Sequence, residues 1–158
     1  MIAMPITYLG HPEIMRIANT RTVDEVRRAI SRWSRILWIW LGIALAIFVP
    51  LSPWLIRAIL PTGRLSPLVA VFLGVMAALW QAALMAHKPQ ESAGQTGVML
   101  GAIAISVVCS VTFVVLGSYF WGAIGASVGA LFGPVVYIAA IWSRRARAFE
   151  AAQEGVRL

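Results

Sequence analysis

The chain has 158 residues, of which 60% are hydrophobic and only 12% are charged, and its mean hydropathy is +0.83. A soluble domain has about 45–50% apolar and about 25% charged residues, so this composition excludes an ordinary soluble fold. The net charge of +7 comes from basic residues that flank long apolar runs, which favours lipid headgroups over nucleic acid as the partner. We therefore expect an all-α integral membrane protein with four transmembrane helices and an N-terminal basic amphipathic helix at the membrane surface.

The amphipathic helix is predicted over residues 22–35, within a cytoplasmic N-terminal tail of residues 1–35. Thr22 and Glu25 fit the capping box that opens many helices. Apolar residues then follow at spacings of three and four and make one stripe: Val23, Val26, Ile30, Trp33 and Leu37. The residues expected at the membrane surface are Arg27, Arg28, Arg32, Trp33 and Arg35. Docking of this helix onto a partner protein is the alternative.

The first span is predicted over about residues 36–56 and opens a membrane domain of residues 36–143. No charged residue occurs from Ile36 to Ile56, a length of roughly 31 Å at 1.5 Å per residue, which is enough to cross a bilayer core. About 35 residues with several arginines precede it, so no cleaved signal peptide is expected. Pro50 and Pro53 leave open whether the helix ends near Val49, with residues 50–60 as a separate interfacial segment.

The second and third spans are predicted over about residues 65–86 and 97–117. A polar loop from His87 to Thr96 joins them. Small residues recur along the third span, and such rows let helix backbones approach closely.

The fourth span, about residues 121–142, follows a tight aromatic connection and carries the most specific pattern in the chain. Gly125, Gly129 and Gly133 recur at every fourth residue, and Pro134 should bend the helix near Ala130. The residues expected to pack helices together are Gly97, Gly101, Ser106, Gly125, Gly129 and Gly133. Periodicity alone leaves three partners open for the glycines: the same chain, another subunit or copy, or the lumen of a pore.

The basic residues predict the orientation of the four spans. The N-terminal tail, the second loop and the C-terminal tail (residues 144–158) carry 11 of the 13 lysines and arginines, whereas the first and third loops carry 2. The positive-inside rule then places both termini in the cytoplasm of a cell with an inner or plasma membrane.

Residues suited to catalysis or metal binding are scarce. No acidic residue lies within a predicted span, although ion-coupled transporters generally need an intramembrane carboxylate or an unwound helix. Cys109 is the only cysteine, and His11 with Glu13 lacks a third ligand, so we expect no catalytic residue, metal or cofactor.

The leading hypothesis is a non-enzymatic structural or accessory subunit of a larger membrane assembly, bound to the lipid bilayer and to other membrane subunits or copies of itself. A self-assembling pore or holin-like permeability factor is the alternative, and a small transporter ranks third.

Overall fold

The computed structural model describes residues 10–17, 22–59 and 66–144, and every regular element in those ranges is a helix. The basic C-terminal tail beyond Arg144, the first loop around residues 60–65 and the first nine residues lie outside the described ranges. In chain order the helices are α1 (10–17), α2 (Val23–Ile59), α3 (Pro67–Ala86), α4 (Lys88–Ser92), α5 (Thr96–Ala130) and α6 (Phe132–Trp142).

Helix α2 is one continuous element of 37 residues, about 55 Å long. At its start the Thr22 amide donates to the Glu25 carboxylate over 3.3 Å, which is the carboxylate half of the predicted capping box. The predicted segment 22–35 is continuous with the first span, so a separate interfacial helix is not confirmed.

The prolines of α2 do not end the helix, which continues through Pro50 and Pro53 to Ile59. Proline lacks an amide hydrogen, so Pro53 leaves the Val49 carbonyl without its usual i+4 donor. The Ser52 hydroxyl donates to that carbonyl over 2.8 Å, and Ser52 is almost fully buried. This side-chain bond satisfies the carbonyl and explains why residues 50–59 continue the first helix.

The apolar stripe of α2 packs against protein rather than remaining open. Val26, Ile30 and Leu37 are buried in a core that also contains Ile14 of α1 and Met85 of α3. The stripe that we interpreted as a lipid-facing surface is therefore covered by α1 and α3.

The connection after α3 contains a short helix where the sequence predicted a polar loop. Pro89 lies in the first turn of α4, the Ser92 hydroxyl donates to the Pro89 carbonyl over 2.9 Å, and Lys88 pairs with Glu91 one turn later. Gly94 then takes a left-handed conformation with a φ of 66°, which glycine adopts without strain.

Helix α5 reverses direction about three quarters of the way along its length. Trp121 (φ −134°) and Gly122 (φ 59°, ψ −140°) leave the helical conformation, so α5 is two helices joined by a tight turn. The second arm continues after Leu131 into α6. The helix is interrupted at Leu131, one turn before Pro134, because Pro134 has no amide hydrogen to donate to the Ala130 carbonyl. The sequence predicted a bend at this place.

In the described part of the chain, three helices are long and apolar enough to cross a membrane, and these segments begin at Asp24, Pro67 and Thr96. Helix α3 is central, since α2, α5 and α6 all pack against it. Large aromatic side chains are exposed in the middle of α2, near the ends of α2 and α6, and at the reversal within α5: Trp38, Trp40, Trp54, Tyr119, Phe120, Trp121 and Trp142. The structure is thus that of a multi-pass helical membrane protein.

Candidate functional site: a glycine hairpin and a polar cluster

The three glycines of the predicted stripe (Gly125, Gly129 and Gly133, the glycine stripe) all lie buried inside the α5–α6 hairpin. A Cβ atom on Gly125 would collide with the Gly117 carbonyl oxygen, and one on Gly129 would collide with the Phe113 carbonyl oxygen. The stripe therefore packs against the first arm of α5 within the same chain.

Gly133 has a looser fit at the far end of the stripe. A Cβ atom there would lie 3.1 Å from both Cβ and Oγ of Ser110 and 3.6 Å from the Trp80 ring. The hairpin arms are thus closest near the turn, and α3 joins the contact where Gly133 and Trp80 meet.

Gly117 is the packing residue that the sequence analysis missed. It is buried, and a Cβ atom on it would collide with the Gly125 carbonyl. Gly117 and Gly125 are each four residues from Trp121, and Phe113 and Gly129 are each eight residues from it. Symmetry about the aromatic turn was a sequence signal that could have identified this antiparallel pairing.

Gly97 and Gly101 lie on the opposite face of the first α5 arm and are both exposed (the outer ridge). Among residues 10–17, 22–59 and 66–144, no atom beyond the chain neighbours and the nearby backbone of the same helix lies within 4 Å of a Cβ atom built on either. Ser106 is fully buried, and at 100° per residue it is about 140° around the helix from Gly101. Of the predicted packing residues, Ser106 and the glycine stripe are therefore buried within the chain, whereas Gly97 and Gly101 form the open outer ridge.

The predicted membrane-surface arginines Arg27, Arg28, Arg32 and Arg35 are exposed along α2. Trp33 is half-buried, and its indole N–H donates to the Glu13 carboxylate over 2.9 Å. Trp33 therefore binds α1 to α2, whereas the sequence placed it at the lipid surface.

A group of polar side chains from three separate parts of the chain meets at one end of the helices: His11, His87, Lys88, Glu91 and Tyr137 (the polar cluster). Lys88 is 5% exposed, and its Nζ atom lies 2.5 Å from Glu91 Oε2 and 2.7 Å from His11 Nδ1. A lysine is a donor only, so His11 accepts through Nδ1. The buried ammonium is thereby paired and joins α1 to α4.

His87 connects the same cluster to α6. Its Nδ1 atom lies 3.0 Å from the Tyr137 hydroxyl, and its Nε2 atom lies 3.7 Å from Glu91 Oε2. We assign the Tyr137 hydroxyl as donor to Nδ1, which leaves the Nε2 hydrogen facing the carboxylate. Burial beyond the end of α3, together with the neighbouring Lys88, lowers the pKa of His87 below its ordinary value of 6.5, so this ring is neutral at pH 7.

Gln90 forms a further connection between α4 and α6. It is fully buried, and its side-chain amide donates to the Ile141 carbonyl over 3.0 Å. The same carbonyl also accepts from the Arg144 amide over 3.1 Å, so the carbonyl near the C-terminal end of α6 is satisfied from both α4 and its own chain. The sequence did not identify Gln90, because His87–Thr96 had the composition of a surface loop.

The hydroxyl groups within the long helices bond to their own backbone. Ser106 donates to the Ile103 carbonyl, Thr112 to Val108 and Ser127 to Ile124, all over 2.7–2.8 Å. Such bonds are the usual state of serine and threonine in membrane helices. The hydrogens of these three hydroxyls are therefore used within their own helices.

Over residues 10–17, 22–59 and 66–144, no three histidine, cysteine, aspartate or glutamate side chains are grouped to hold a metal ion. No family model, curated protein or solved structure matches this chain significantly. Function must therefore be argued from the hairpin, the outer ridge and the polar cluster.

Proposed function

We propose that the chain crosses the inner or plasma membrane four times, with both termini in the cytoplasm. The region from Thr96 to Trp142 has 47 residues, which would extend about 70 Å as one straight helix, more than twice the thickness of a bilayer core. The reversal at Gly122 divides it into two arms, and the second arm, residues 123–142, is about 30 Å long. Each arm is therefore long enough to be a span.

The contacts at the polar cluster support an even number of crossings. His11 bonds Lys88, and Gln90 bonds the Ile141 carbonyl, so α1, α4 and the end of α6 meet at one end of the molecule. Four crossings place the N-terminal tail, the second loop and the C-terminal tail on one side, as these contacts require. Three crossings would put the end of α6 on the opposite side.

Within this membrane domain, we propose that the chain is a non-enzymatic structural or accessory subunit of a larger membrane assembly. The observation that carries the proposal is the division of the small residues on α5. The glycine stripe packs inside the hairpin, whereas the backbone at Gly97 and Gly101 of the outer ridge is exposed and has no helix of the described residues packed against it. Small residues on a membrane helix allow a second helix to approach closely, so the outer ridge suits a partner helix.

A self-assembling pore is less well supported by the same observations. The small-residue faces that were candidates for a lumen pack against each other in the hairpin. The hydroxyls of Ser106 and Ser127, on those faces, are bonded to their own helices. A small transporter ranks third, because the acidic residues lie outside the proposed spans.

The test is purification of the tagged full chain from its native membrane in mild detergent, with measurement of the mass of the intact complex. A defined set of other membrane proteins supports the subunit role. A complex of identical chains that conducts ions in liposomes would replace it with the pore, and a monomer bound only to lipid would exclude both.

A matched pair of variants tests whether the partner binds at the outer ridge. Gly101→Leu fills the open ridge and should release the partner. Val107→Leu enlarges a side chain that is 50% exposed on another face of the same helix, and it should leave the complex intact. Equal complexes from both variants would contradict the assignment of the ridge.

A further inference from the structure

The basic N-terminal part of α2 is not a uniform charged face, because α1 lies beside it and closes one side of a groove. Residues of both helices line this groove: Glu13, Arg16, Ile17, Glu25, Arg28, Ala29 and Arg32 (the arginine groove). Its volume is about 630 Å³, within the range of about 300–1,000 Å³ typical of small-molecule sites.

The wall formed by α1 is held in place by specific contacts. The Trp33 indole donates to the Glu13 carboxylate over 2.9 Å, and Gly10 packs against the Trp33 ring, where a Cβ atom would lie 2.9 Å from the nearest ring carbon. Ile14, on the same short helix, is fully buried. The groove is therefore formed by two helices locked together, one of which supplies Glu13 and Arg16.

The charges in the groove are unequal. Three arginines line it against two glutamates, so its net charge is positive. Both carboxylates already accept hydrogen bonds: Glu13 from Trp33, and Glu25 from the Thr22 amide over 3.3 Å. Arg28 donates from its Nε atom to the Asp24 carbonyl over 3.4 Å, so this bond does not use its two terminal nitrogens. The groove thus presents guanidinium groups, and each guanidinium can donate two parallel hydrogen bonds to the oxygens of one phosphate.

The position of the groove along α2 indicates which phosphate-containing ligand it would meet. The uncharged run begins at Ile36, so Arg32 is about 6 Å and Arg28 about 12 Å from the edge of the apolar core along the helix axis. The headgroup layer is about 5–8 Å thick on each side of that core, so Arg32 lies within it, whereas Arg28 lies beyond its outer edge and would reach it through its long side chain. On the proposed topology this end faces the cytoplasm, where the leaflet carries anionic lipids.

We propose that the arginine groove binds the phosphate headgroup of an anionic phospholipid of the cytoplasmic leaflet, held by Arg28 and Arg32. The proposal rests on the proposed membrane topology and does not depend on the subunit role. A lipid seated between α1 and α2 would contact both helices and hold the N-terminal segment against the membrane.

The test uses the full chain in mild detergent, with phosphatidylglycerol titrated in and the bound lipid counted by native mass spectrometry. Wild type should hold one phosphatidylglycerol more tightly than the rest, and Arg28→Gln/Arg32→Gln should weaken that binding about tenfold or more. The control, Arg35→Gln/Arg144→Gln, removes the same charge from two exposed arginines outside the groove and should change the binding by less than about twofold.

Three outcomes would overturn the proposal. Equal weakening by both double variants would mean diffuse attraction to the basic face, and no weakening by the groove variant would exclude the site. Displacement of the lipid by inorganic phosphate, or equal binding of phosphatidylcholine, would assign the groove to a different ligand. Circular dichroism of each variant shows that the helices are intact, and the co-purification experiment above tests the subunit role separately.

Discussion

Gly117 and Gly125 face each other across the α5 hairpin so closely that neither position has room for a Cβ atom. Each would direct that atom at the other's carbonyl group, and backbone atoms, unlike flexible side chains, cannot move aside locally. The register of the two arms is therefore determined by a pair of glycines placed symmetrically about Trp121.

The first prediction concerns the next contact of the hairpin. Gly129→Ala places a methyl group against the Phe113 carbonyl, and overpacking of this kind costs about 1–3 kcal/mol or more. Gly101→Ala is the matched control, because it adds the same methyl group to the open outer ridge, where alanine favours the helix. The free energy of unfolding in detergent, measured by denaturant titration, should fall for Gly129→Ala alone. Equal stability of the two variants would contradict close packing of the hairpin.

The second prediction concerns the buried ammonium of the polar cluster. Lys88→Met removes the partner of both Glu91 and His11, and a partly buried charge left unpaired costs about 1–3 kcal/mol. Glu91→Gln should cost at least as much, because it leaves the ammonium of Lys88, which is 5% exposed, without a charged partner, whereas the Glu91 carboxylate left by Lys88→Met is 30% exposed and can be hydrated. In the double variant the two losses should not add, since each single change already breaks the same pair. Additive losses in the unfolding free energy would show that the pair is not coupled.

The third prediction is a dependence of stability on pH. The pKa of His87 is lowered by burial and then by Lys88, while Glu91 acts in the opposite direction and His11 adds to the lowering. The unfolded chain therefore binds a proton at His87 more readily than the folded chain. The free energy of unfolding should fall as the pH drops below about 6.5 towards the lower folded pKa, and it should not depend on His87 above that range.

The measurement compares unfolding of wild type and His87→Gln between pH 8 and pH 5. The difference between the two curves isolates the contribution of His87. A wild-type curve parallel to that of His87→Gln would show that burial of His87 does not matter for stability.

The fourth prediction tests the four crossings. In a Cys109→Ser background, Tyr119→Cys is at the hairpin turn, where Tyr119 is 83% exposed, and Thr96→Cys is at the opposite end of the same arm. A membrane-impermeant maleimide added to intact cells should label Tyr119→Cys and not Thr96→Cys. If residues 96–142 crossed only once, position 119 would be within the bilayer and would remain unlabelled. Labelling of each variant in disrupted membranes is the control for the reactivity of its cysteine.

The sequence by itself determined the class of the protein and the nature of its elements. Long uncharged runs predict membrane helices because a bilayer leaves backbone groups no partner outside the helix. The carboxylate half of the Thr22–Glu25 capping box and the break before Pro134 could also be predicted, because each depends on residues within one turn of each other.

Only the tertiary structure decided what covers each face. An apolar stripe has the same pattern whether lipid or protein lies against it, so the contact of Val26 and Ile30 with Ile14 could not be predicted. The partner of Gly125 required the register of the hairpin. The bond from Lys88 to His11 joins residues 77 positions apart, and such pairs form because folding brings distant segments to one end of the molecule, which no local pattern encodes.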